Sequence, residues 1–136
     1  MLLRTAGLAI VALLSLASAA LADCPPVGGM GDVDAVGAPV KKAKDTVTFK
    51  LTTRAGNQTV RVPGASCVQH YTNAKGRSDA EVQTMYRVRL QFQGAQFIYL
   101  DAHELTAIIL RGAAQTWIGI RSDHGKTDIT IVEKAP

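Results

Sequence analysis

The chain has 136 residues, a formal net charge of +4, and 19% charged against 47% hydrophobic residues, a balance that excludes disordered and low-complexity classes. Aromatic residues make up 5%, too few for a platform that stacks single-stranded bases, and the small basic excess requires no polyanion, so no nucleic-acid partner is expected. Two cysteines exclude a cysteine-rich zinc module.

Met1 to Ala22 has the form of a cleavable export leader: Arg4, an apolar run from Ala6 to Leu14, then the small-residue site Ala20-Leu21-Ala22. The run is short for a membrane anchor. Cys24 raises a lipoprotein alternative, which Asp23 disfavours because small residues normally precede a lipidated cysteine. The leader looks bacterial, so the mature chain is expected in the periplasm or secreted, with no transmembrane segment after cleavage. Loss of Arg4 lowers the charge by one.

In an oxidising compartment Cys24 and Cys67 are expected to pair. The bridge would pin residues 23–45, a stretch rich in Pro, Gly, Ala and Val with no sustained period, read as an irregular arm. The globular β-rich domain is then 46–136. Val47, Phe49 and Leu51 alternate with polar residues, Ala55-Gly56-Asn57 turns the chain, and Val60 and Val62 resume, predicting a hairpin that ends at Pro63-Gly64. Asn57-Gln58-Thr59 matches a glycosylation sequon but is read as part of the turn. Residues 65–83 show less order. Ser78-Asp-Ala-Glu81 fits a capping box, with room for at most one helical turn before the next strand pattern.

The densest apolar stretch is Tyr86 to Leu110. Tyr86, Val88, Leu90 and Phe92 alternate with Arg87, Arg89 and Gln91, the period of a half-buried strand. Gly94 suits a hairpin turn, and Gln96 to Leu100 is β-branched and aromatic, suiting a second strand. Asp101-Ala-His-Glu104 then has the form of a capping box, with Leu105, Ile108 and Ile109 at helical spacing, predicting a short helix over 102–111 closed by Gly112. Trp117, Ile118 and Ile120, turn residues at 122–126, and Ile129 with Ile131 make a third hairpin. The expected fold is β-rich α+β: an antiparallel sheet or small barrel of about six strands in three hairpins, with one short helix.

Motifs for chemistry are sparse. His70, His103 and His124 show no metal-ligand spacing, and no nucleophile elbow accompanies Ser66 or Ser122, so neither a metal, a cofactor nor a catalytic residue is assigned. The paired acids of a glycosidase have no supporting spacing either. The remaining feature is basic: Arg87 and Arg89 on one side of their predicted strand, joined by Lys50 and Arg61 if the hairpins pair, a face that suits an acidic protein or an anionic surface. The bland alternative is the wet side of an amphipathic sheet. The expectation is therefore a small exported non-enzymatic binding protein of the cell envelope, an inhibitor or accessory subunit. The rival reading is a small periplasmic hydrolase or metal-binding protein using Asp101, His103 and another histidine.

Overall fold

A computed structural model describes Cys24, Val27 and residues 33–136. The expected leader and cleavage site, Met1 to Ala22, lie outside the described residues. Six strands and one helix follow in order: β1 (Val33–Thr53), β2 (Gly56–Asn73), α1 (Asp79–Phe92), β3 (Gln96–Leu100), β4 (Glu104–Arg111), β5 (Ala114–Asp123) and β6 (Lys126–Lys134). They form one open antiparallel sheet in the order β1-β2-β6-β5-β4-β3. The β-rich α+β expectation holds, as a sheet and not a barrel. Among the described residues no helix is long and apolar enough to cross a membrane.

Two assignments inside the central stretch exchange places. Residues 86–92, expected as a strand, are the second half of α1, and 102–111, expected as a helix, contain β4. The helix starts where the first capping signal lies: Ser78 accepts a hydrogen bond from the Glu81 N–H, and Asp79 and Glu81 occupy the first turn. Val82, Tyr86 and Leu90, spaced by four, are fully buried, whereas Val88 and Phe92, which share the period-2 pattern with them, are 46% and 89% exposed. Gly94 closes the helix at φ 78°, with the Ala95 N–H bonded to Leu90 O and the Gly94 N–H to Gln91 O, a Schellman ending.

β4 is a strand because both of its faces are covered. Leu105, Ala107 and Ile109 join the core under α1, while Ile108 packs in a second cluster on the other side. A strand buried on both faces loses its alternation, and Ile108-Ile109 then mimics a helical pair. Asp101 and Glu104 do interact, but across a turn.

The predicted arm is also partly sheet. β1 begins at Val33, not Thr46, and pairs with β2 from Val33↔Asn73 to Thr53↔Gly56, so the first hairpin runs well past Pro63-Gly64. Register shifts between Val36 and Val40 and between Lys42 and Asp45 break the alternation that would have shown the strand. Pro39 sits in the first shift, on an edge strand where a missing N–H is tolerated. The expected bridge is present: Cys24 is bonded to Cys67 on β2, and both side chains lie in the core.

The helix covers one face of the sheet over Ile118, Ile120, Ile129 and Ile131. On the other face the β1–β2 hairpin curls toward β3 and β4, so Phe49 stacks at 5.6 Å on Trp117 and lies over Gly119, where a side chain would crowd its ring.

Candidate functional site

The β3–β4 turn is exposed and closed by several hydrogen bonds. Asp101 Oδ1 accepts from the N–H groups of His103 and Glu104, each at 2.7 Å, and Oδ2 accepts from the Tyr99 hydroxyl at 2.6 Å. The Asp101 N–H closes the turn onto Glu104 O at 3.0 Å. Lys50 reaches across from β1 to Glu104 at 2.7 Å and stands 5.5 Å from the centre of the Tyr99 ring. Burial pushes the Asp101 carboxyl up, but the Tyr99 hydroxyl and the two backbone donors together outweigh it and hold the group below its ordinary value. The hydrogen bond that the Lys50 ammonium donates to Glu104 raises its pKa, and the one that the Tyr99 hydroxyl donates to Asp101 raises the phenol.

That direction sets a pH test. A carboxyl depressed in the folded state stabilises fully above its unfolded pKa, about 3.9, and the benefit is lost as pH falls through the lower folded value. Thermal unfolding of wild type and Asp101→Asn is expected to differ at neutral pH, with the gap closing below about pH 4. A gap constant down to pH 2 would mean that the carboxylate charge contributes nothing.

Around this turn the surface is grooved on both sides. A groove of about 260 Å³ separates it from α1, lined by Gln83, Thr84, Arg87, Leu100, Asp101 and Leu105 among others. A smaller one of about 190 Å³ is lined by Lys50, Asp101, His103, Glu104, Arg121 and Asp123. Leu100 between them is 45% exposed.

The four basic residues singled out in the sequence divide into pairs. Lys50 and Arg61 share one face of the β1–β2 hairpin, since Lys50 stands opposite Thr59 and Arg61 opposite Thr48. Arg87 and Arg89 lie on α1 and not on a strand. Two residues apart on a helix means about 200° of rotation, so they point to different sides. Arg87 is exposed and Arg89 half-buried in the last turn. Arg87 and Lys50 therefore flank the β3–β4 turn from its two sides, while Arg61 and Arg89 do not line either of its grooves.

The histidines do not gather. His70 pairs with Asp128 at 2.6 Å on the helix-free face. There the register continues the charges in alternation, Asp128 opposite Arg121 and Arg121 opposite Glu104, which Lys50 caps. His124 sits in the β5–β6 turn at φ 51°, with Nδ1 3.0 Å from Asp123 Oδ1. His103 shares its turn with Asp101, and its Nδ1 lies 3.1 Å from the carbonyl oxygen of Ser122. Neither candidate serine hydroxyl meets a histidine: Ser66 Oγ donates to Asp45, and Ser122 Oγ is bonded to Gln83 and Thr127.

Ser122 belongs to a buried polar chain with no counterpart among the sequence-based candidates. Gln83 Nε2 donates to Ser122 Oγ, Ser122 and Thr127 hydroxyls are 2.9 Å apart, Thr127 Oγ1 donates to Asn73 Oδ1, and Asn73 Nδ2 donates to Asp79 Oδ1. The Gly125 N–H adds a second bond to the same Asp79 oxygen. Each donor's neighbour is thereby polarised, ending on a carboxylate, and the chain ties the start of α1 to the β5–β6 turn. Its signal in the sequence was polar residues in core phase: Ser122 continues Ile118 and Ile120, and Thr127 precedes Ile129 and Ile131. No protein-family model matches the chain, and no curated protein and no solved structure is significantly similar to it.

Proposed function

We propose that the protein is an exported, non-enzymatic binding protein of the bacterial cell envelope, an inhibitor or accessory subunit that presents its β3–β4 turn to a protein partner. The observation that carries this reading is the locking of that turn. Three hydrogen bonds to Asp101 fix the backbone while Leu100, Ala102 and His103 remain exposed at its tip. A loop already held in one conformation loses little entropy on docking, which is how loop-presenting inhibitors gain affinity. Leu100 offers an apolar anchor, and Arg87 and Lys50 on either side suit a partner whose surface is acidic around an apolar pocket. A hydrolase reading draws no support from Ser66 or Ser122, whose hydroxyls are engaged elsewhere.

The test is capture from an envelope extract by the immobilised mature chain, followed by affinity measurement with the retained protein. Wild type is expected to hold one stoichiometric partner. Leu100→Asp with Arg87→Glu is expected to weaken it about 30-fold or more, with the thermal midpoint unchanged, whereas Arg61→Glu leaves it intact. Equal binding by the double variant, or no retained protein, would overturn the proposal.

A further inference from the structure

We propose that Asp79, His103 and Asp123 form a binding site for one divalent transition-metal ion of the zinc class. The three come from separate elements, the first turn of α1, the β3–β4 turn and the end of β5, and a ligand atom of each lies within 4.8 Å of those of the other two. Zinc bonds to nitrogen and oxygen of about 2.0–2.2 Å place tetrahedral ligands about 3.5 Å apart, so closure around the ion asks for roughly an ångström of movement. The side chains have that freedom, since His103 is exposed and both aspartates are half-buried.

The surroundings prepare the ligands. Nδ1 of His103 faces the Ser122 carbonyl, an oxygen that only accepts, so the proton belongs on Nδ1 and the lone pair on Nε2. A backbone carbonyl on one ring nitrogen is the usual orienting partner of a histidine that ligates through the other. The Ser122 N–H in turn bonds His103 O at 2.7 Å, which fixes the two strand ends to each other. Asp79 is held from behind by Asn73 Nδ2 and the Gly125 N–H, at the end of the buried polar chain. These supports come from residues outside the three ligands. Two carboxylates balance the charge of a divalent ion, a neutral imidazole adds borderline softness, and water completes the fourth position.

The groups that compete for Asp123 are both exposed. Arg121 lies 3.7 Å from Oδ2 and His124 3.0 Å from Oδ1. Arg121 also stands opposite Asp128 and Glu104 in the register of the neighbouring strands, so acidic neighbours remain beside it when Asp123 turns to the metal. This site shares His103 of the β3–β4 turn with the partner-binding reading but does not use Leu100 or Arg87, so variants at those two residues test that reading separately.

Titration of chelator-treated, tag-free protein with Zn²⁺, followed by calorimetry, tests the assignment. Wild type is expected to bind one ion saturably, and Zn²⁺ raises its thermal midpoint. His103→Ala is expected to weaken binding about 100-fold and Asp123→Asn about 10-fold or more, while His70→Gln and Arg61→Glu bind as wild type does. Absence of saturable one-to-one binding, or His103→Ala binding as tightly as wild type, would overturn the site.

Discussion

Replacing Tyr86 by alanine is expected to cost about 3–5 kcal/mol of stability, whereas Phe92→Ala shifts it by no more than about 0.5 kcal/mol. Tyr86 is fully buried beside Val82 and Leu90 in the core beneath α1, and Phe92 is 89% exposed at the last residue of that helix. Alanine is a good helix residue, so neither change breaks the backbone, and the contrast reads a buried side chain against an exposed one. A half-buried strand would make the opposite prediction. There Tyr86, Val88, Leu90 and Phe92 would share one face, and truncating either aromatic would be costly. Urea unfolding of the two variants decides the matter: comparable losses at both positions would refute the helix.

The same residues explain why the fold class was legible while two elements were not. From Tyr86 onward the sequence satisfies period two, and also period four through Tyr86 and Leu90. Only Val82, one turn earlier, separates the readings. The capping signal at Ser78 points to a helix, but the alternation that follows it fits a strand equally well and leaves room for a single turn. At Asp101 the error is of the opposite kind. A carboxylate that accepts from the backbone two and three residues ahead closes a strand-to-strand turn as well as it starts a helix, and the local pattern Asp-x-x-Glu is shared by both. What decides is the tertiary layer: the curled β1–β2 hairpin supplies Phe49 and Val47 to cover the side of the sheet that holds Ile108.

The irregularities of β1 have a parallel effect: two extra residues between Val36 and Val40 interrupt the alternation, and one between Lys42 and Asp45 inverts it, so a long strand looks irregular. Of the candidate site, single residues were visible and their company was not. Asp101, His103, Lys50 and Arg87 stand around one turn, but that depends on register between β1, α1 and β4, which no local spacing encodes. Asp79 and Asp123 are not legible as ligands in the sequence, because they lie 24 residues before and 20 after His103.

Reduction of the Cys24–Cys67 bridge is expected to lower stability by about 4 kcal/mol, the chain-entropy value for a loop of this length, the two cysteines being 43 residues apart. That loss shifts the urea midpoint by about 1.5–4 M. Cys24→Ala and Cys67→Ala remove the same loop, so their shared loss measures the loop term, and any difference between them measures how each side chain packs in the core. The native sheet has its own ties to the arm, because Val33 is buried and paired with Asn73. Circular dichroism of the reduced protein without denaturant is therefore expected to keep the strand signal, with the effect confined to the unfolding transition. A shift under about 1 kcal/mol would mean that the 33–73 hairpin already restrains the unfolded chain, which is the main way the entropy model fails. Domains of this size hold only about 5–15 kcal/mol in total. A bridge worth about 4 of those is a large share of the margin, so the reduced chain stays folded in buffer but unfolds at a much lower urea concentration.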